Sequence, residues 1–118
     1  MAEAGLFIGW GTVVRGREQR ALEVFNESMQ YYGGLEQDGR IESWEAVLLE
    51  PHGGDLGGFV LLRGSVDQIN ALRFDDDFLR LTQRAELIVE SIGVVGAFVE
   101  DGVARGIGIF QEEVAALG

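Results

Sequence analysis

Gly58-Phe59-Val60-Leu61-Leu62-Arg63-Gly64-Ser65-Val66-Asp67-Gln68 decides how this chain folds. The apolar run Phe59 to Leu62 makes 58–63 a strand. Ser65 and Gln68 have capping-box spacing, in which the hydroxyl takes the amide three residues on and the glutamine reaches back to the first amide. A strand therefore passes directly into a helix. Upstream, 41–50 puts Trp44, Ala46 and Leu48 on one side and Ile41, Val47 and Leu49 on the other, and Pro51 ends this strand. Pro51-His52-Gly53-Gly54-Asp55 is turn chemistry, so the two strands form a hairpin. Downstream, Ile69 and Leu72 carry the helix to Arg73-Phe74-Asp75-Asp76-Asp77, where an aspartate caps a second piece bearing Phe78, Leu81, Ala85 and Ile88. The crossover is a broken helix.

The ends are read in the same way. Leu6, Ile8, Trp10, Thr12 and Val14 alternate with Phe7 and Val13 in a first strand, with glycines at 9 and 11. From Arg17 the period lengthens through Ala21, Leu22, Phe25, Met29 and Tyr32, which predicts a helix stopping at Gly33-Gly34. Residues 92–99 are nearly continuously apolar, the pattern of a strand buried on both faces, closed by Asp101-Gly102. Ile107, Phe110, Val114 and Leu117 have the spacing of a C-terminal helix.

Strand, helix, strand, strand, helix, strand with right-handed crossovers is the α+β, ferredoxin-like βαββαβ order, a four-stranded antiparallel sheet with its helices on one face, here as one domain over 1–118. The strands nevertheless carry large apolar residues on both sides, Trp10 against Phe7 and Phe59 and Leu61 against Val60 and Leu62. At roughly 25 cal/mol per Å², leaving the second side wet would cost several kcal/mol. The expected cover is a second copy of the sheet, hence a homodimer through the open sheet face.

Composition removes many alternatives. The chain has 118 residues, 47% of them apolar, and enough to bury a core. Nine basic residues against 20 acidic ones leave a net charge of −11, which repels phosphate, so nucleic acid is not an expected partner. No cysteine means no disulfide framework, thiolate nucleophile or iron–sulfur cluster. All nine basic residues are arginine, so there is neither a Walker lysine nor a Schiff-base lysine. A single histidine cannot supply the paired imidazoles of most zinc or iron sites. No cofactor and no metal are assigned. The start lacks a basic leader and the longest uncharged stretch, 4–14, is too short for a membrane span, so the reading is a cytoplasmic protein without a membrane partner.

The residues 5–14, the hairpin 44–63, the phrase Arg63-Gly64-Ser65-Val66-Asp67 opening the broken helix with 75–78 in its middle, and the strand 93–99 resemble the dimeric α/β-barrel superfamily. That group includes antibiotic-biosynthesis monooxygenases, muconolactone isomerases and haem-degrading monooxygenases. The resemblance implies two sheets packed face to face and a small-molecule cavity in each protomer between sheet and helices. It implies no single reaction, because these families share architecture and differ in catalytic residues.

Six residues are candidates for a site. Arg63 at a strand end suits a bidentate grip on a carboxylate, with an ion pair to an acid such as Glu45 as the competing account. His52 is the one side chain that ordinarily titrates near neutrality, and a solvated turn residue is its alternative role. Trp10, Trp44 and Phe59 offer flat walls for a planar ligand or pack the core and interface, and Tyr32 lies in phase with the helical core stripe. The functional reading is a homodimeric small-molecule binder or enzyme, with a cofactor-independent monooxygenase or isomerase as its catalytic form. In that form Arg63 orients an anionic substrate and His52 moves a proton. A non-catalytic assembly or ligand-sensing module is the alternative. Asp75-Asp76-Asp77 reads as helix capping before it reads as a Mg²⁺ or Ca²⁺ site.

Overall fold

Period-two alternation shows most clearly between 58 and 64, where Gly58, Val60, Leu62 and Gly64 are buried and Phe59, Leu61 and Arg63 face the other way, half-buried. The computed structural model describes residues 2–118. Its elements are β1 (Ala4–Trp10), α1 (Glu18–Gln37), β2 (Ser43–Leu48), β3 (Gly58–Gly64), α2 (Val66–Arg73), α3 (Asp76–Glu86), β4 (Gly93–Phe98) and α4 (Asp101–Leu117). The strands form one antiparallel sheet in the order β2-β3-β1-β4, with Leu6 opposite Leu62 and Gly96, and Trp44 opposite Leu62. This is the α+β ferredoxin-like topology expected from the order of elements.

One face of the sheet makes the core. Leu6, Ile8, Val60 and Leu62 meet Tyr32 and Leu35 of α1, Ile69 and Leu72 of α2, and Phe78 and Leu81 of α3. The capping box forms as read: Ser65 Oγ accepts from the Gln68 amide at 3.1 Å and Gln68 Oε1 accepts from the Ser65 amide at 2.8 Å. The crossover breaks where the aspartates fall, because the Asp75 carboxylate accepts from the amides of Asp77 and Phe78 and starts α3.

Three boundaries differ from expectation. Helix α1 does not stop at Gly33-Gly34 but continues to Gln37, since Leu35 extends the stripe Ala21, Val24, Ser28 and Tyr32 into the core. Burying Leu35 outweighs the cost of two helical glycines, roughly 1 kcal/mol each. Gly39, with φ of +74°, is the residue that turns the chain. Strand β4 is not a doubly buried strand: it is the sheet edge, with Val95 and Phe98 largely exposed. The chain turns at Glu100, whose φ is +46°, before α4 opens at Asp101, and a Cβ on Gly102 would run into the Glu3 carbonyl oxygen.

The first strand is also shorter than its sequence pattern. Beyond Trp10 the chain leaves β3 and pairs with 88–90 instead, through Gly11 N–H to Glu90 O, Glu90 N–H to Thr12 O and Val14 N–H to Ile88 O. The hairpin loop closes behind it, with Gly57 N–H donating to Trp10 O at 2.7 Å. Gly11 is needed there: a Cβ would lie 2.9 Å from Asp55 O and 3.0 Å from Glu90 O. The ladder with β3 thus ends at Trp10, while the other edge of the first strand goes on pairing to Val14.

Candidate functional site

A cavity of about 460 Å³ lies between the sheet and α1. Even residues of β1 and β3 point toward the helices, so Ile8, Trp10 and Val60 form its floor. Helix α1 supplies the roof with Phe25, Met29 and Tyr32, and Val13, Ile88, Val89 and Ile92 close the side where β1 has left the ladder. Leu22 and Leu48, both exposed, also line it and give the opening an apolar rim. Trp10 and Phe25 meet edge to face at 6.2 Å.

Polar groups on this wall are few. The Ser28 hydroxyl donates to Val24 O within its own helix at 2.7 Å, and the Glu18 carboxylate accepts from the Gly16 amide. Burial pushes the Tyr32 phenol far above its ordinary pKa of 10.0, with the neighbouring Tyr31 adding to the effect, so it stays protonated as a hydrogen-bond donor. An apolar wall carrying the rings of Trp10, Phe25 and Tyr32 suits an apolar, planar molecule.

The structure divides the six candidate residues among three places. Trp10 and Tyr32 line the cavity. Trp44 lies beside them on the same face, 5.9 Å from the Tyr32 ring, and packs against the core without reaching the cavity wall. Phe59 and Arg63 belong to the opposite, open face of the sheet. There Phe59 stacks on Phe7 at 5.1 Å, and Gly9 lets the Phe7 ring lie down, since a Cβ at Gly9 would come within 2.6 Å of it. Arg63 pairs with Glu45 at 2.8 Å, the ion pair weighed for it from sequence. His52 sits exposed in the hairpin loop, where the Gly54 amide donates to Nδ1 at 3.2 Å and Nε2 lies 2.7 Å from Leu56 O. The tautomer with its proton on Nε2 satisfies both contacts, so the ring holds the loop together.

From sequence, Phe25 and Met29 read as core, Val13 and Ile88 as a strand and a helix position with no part in a site, and Val89 carries no reading. Phe25 and Met29 were visible as an apolar row beside the buried stripe of α1. The pairing of 11–14 with 88–90 left no periodic signal.

A larger groove of about 650 Å³ runs between the start of α1 and the end of α3. Its charges are already engaged: Arg84 with Glu27 at 2.8 Å, Arg20 with Glu23 at 3.3 Å, and Arg17 donating to Leu87 O at 2.6 Å. Such a surface presents no convergent free group to a ligand. Among the described residues no cluster of three or more histidine, aspartate or glutamate side chains could hold a metal ion. Asp75 is spent on capping and on Arg40 at 3.4 Å, and Asp77 on Arg80 at 2.9 Å. No helix among these residues is long and apolar enough to cross a membrane.

No family model matches this sequence, and no curated protein does. Solved structures do share its architecture. A dimeric protein of unknown function and ferredoxin-like fold from Bacteroides fragilis NCTC 9343 superposes with a TM-score of 0.59 at 13% identity, over 81% of this chain and 96% of that one. The hydroxynitrile lyase of Passiflora edulis gives 0.59 at 13% identity, over 85% and 96%. SnoaB, a cofactor-independent oxygenase from Streptomyces nogalater, gives 0.49 at 15% identity, over 84% and 93%. At such identities the likeness speaks for the ferredoxin-like fold alone and singles out no family.

Proposed function

We propose that this chain is a homodimeric small-molecule binding protein of the dimeric α/β-barrel type. It takes an apolar, planar ligand into the cavity between the sheet and α1, with Trp10, Phe25 and Tyr32 against it. The cavity carries this reading: about 460 Å³, apolar on nearly every side, with an apolar rim. That volume lies within the range that drug-sized ligands occupy. The open sheet faces, with Phe7, Val47, Phe59 and Leu61, pack against each other in the dimer, and Arg63 with Glu45 lies at their margin. A second copy is the economical cover for that surface, and the solved structure from Bacteroides fragilis is itself described as dimeric. The −11 charge opposes a polyanion partner, and the cysteine-free composition suits the cytoplasm.

The buried Tyr32 phenol favours a second reading, a cofactor-independent oxygenase or an isomerase. Tyr32 lines the cavity, and its phenol, kept protonated by burial, would donate to an oxygen on which charge develops, as in enolate formation. The hydroxynitrile lyase that shares the fold also works on a small molecule by its name. In this reading His52 and Arg63, outside the cavity wall of their own chain, serve the hairpin loop and the sheet face.

A screen of planar aromatic compounds by thermal shift, followed by titration of tryptophan fluorescence, tests the binding reading. Bound compounds raise the melting temperature with saturation and quench Trp10. Met29→Arg, which puts a charge in the cavity roof, abolishes both signals while circular dichroism stays native. Hits that survive Met29→Arg place the ligand elsewhere and end the proposal. Tyr32→Phe separates the two readings: binding without turnover loses at most a few-fold in affinity, whereas a catalytic phenol loses kcat.

A further inference from the structure

Helix α4 is more than an appendage of β4. Val103, Ile107, Phe110, Val114 and Leu117 follow one another at steps of four, three, four and three, the a/d spacing of two heptads. These five side chains are 44% to 91% exposed, and within the helix only Gly102 is buried. The side that α4 turns to its own sheet is a different one. Gly102 lies against Glu3 and Gly106 against Phe98, about 80° round the helix from the stripe at 100° per residue. Gly106 and Gly108 weaken the helix against alanine, so it depends on cover for its stability.

The size of the missing cover can be read from the whole molecule. A compact monomer of 12.9 kDa exposes about 6,300 Å². This chain exposes 7700 Å², an excess of about 1,400 Å². Its radius of gyration is 16.2 Å, where a compact chain of this length has about 13.5 Å. The excess is more than the roughly 800 Å² that each partner contributes to a standard stable interface.

We infer that α4 pairs with α4 of a second copy of this chain, seam to seam about a two-fold axis. A stripe this narrow suits another helix better than a broad sheet face, which asks for a wider apolar arc. A two-fold also makes the same stripe serve both partners. The inference stands on the stripe, the surface excess being shared by α4 and the open sheet face, and does not require the sheet-face packing proposed above. If both contacts exist, the first to form raises the effective concentration for the second.

The chain has no cysteine, which makes cross-linking unambiguous. Phe110 is the midpoint of the stripe, so it meets its own counterpart whether the helices run parallel or antiparallel. Phe110→Cys under mild oxidation gives a covalent dimer, and Arg105→Cys, on the far side of the helix, does not. Ile107→Glu with Phe110→Glu weakens self-association at least tenfold by sedimentation, with native circular dichroism, because both side chains are exposed in the single chain. Absence of the Phe110→Cys dimer, or an unchanged association constant in the double variant, overturns the pairing. Leu61→Glu on the open sheet face reports separately: if it alone dissociates the protein, the sheet-face reading stands and the α4 pairing falls, and the reverse result keeps the pairing alone.

Discussion

Replacing Gly33 and Gly34 with alanine stabilises this protein. Both residues lie inside α1 and neither has a positive φ. A Cβ built on either one meets nothing within 4 Å. With no steric cost in the folded state, alanine acts by restricting the unfolded chain and by its better helical preference, worth about 0.5–1 kcal/mol per site. The double variant therefore gains about 1–2 kcal/mol. For 118 residues the unfolding entropy is roughly 0.25 kcal/mol per kelvin, so the melting temperature rises by about 4–8 °C. Urea unfolding followed by circular dichroism at fixed protein concentration gives the same gain as a shifted midpoint with an unchanged slope. Gly39→Ala is the internal control, because its φ of +74° makes alanine cost about 1 kcal/mol. The sign is decisive. If the helix ended at this glycine pair in a left-handed cap, alanine would destabilise there too, and a lowered midpoint for the double variant would refute the path of α1 described above.

Further outcomes follow from the core and from two titrating groups. Phe78→Ala empties a fully buried position between helices and sheet and costs about 3–5 kcal/mol in urea unfolding, whereas Phe74→Ala, at an exposed position one residue before the α3 cap, stays within about 0.5 kcal/mol. The Asp75 carboxyl is held below its ordinary 3.8, first by the Phe78 amide and then by Arg40 and the Asp77 amide. Its folded pKa is depressed, so its contribution is present above about pH 4 and lost as pH falls through the folded value. Asp75→Asn accordingly shows a smaller drop in urea midpoint between pH 5 and pH 2.5 than the parent chain. Tyr32 has the opposite sign: its raised pKa keeps its contribution intact up to about pH 10 and loses it as pH climbs beyond, and Tyr32→Phe flattens that alkaline limb of the stability profile.

The parts of the fold legible in sequence were those written in local chemistry. Ser65 and Gln68 declare a helix start, the run Asp75-Asp76-Asp77 a second one, and the alternation around Val60 and Leu62 a strand with two sides. Where long-range packing competes with local preference, the local signal misleads. Gly33-Gly34 reads as a stop until Leu35 is seen in the core. The apolar run 92–99 reads as a central strand because uncovered edge and buried centre look alike in one dimension. The cavity was legible only in part. Trp10 and Tyr32 were singled out from residue type and phase, while Phe59 and Arg63 fell on the opposite face, because which side of a strand faces the helices depends on register. Val13, Ile88 and Val89 enter through a tertiary pairing that no spacing in the sequence announces.

The parting of the first strand from its neighbour at Trp10 has a bearing on how this scaffold can change. Val13, Ile88, Val89 and Ile92 lie outside the three ladders that set the sheet register, yet they form one flank of the chamber. Exchanging them alters the size and shape of the hollow and leaves the alignment of every strand untouched. Selectivity for the ligand proposed above would thereby be free to drift while the frame stays fixed.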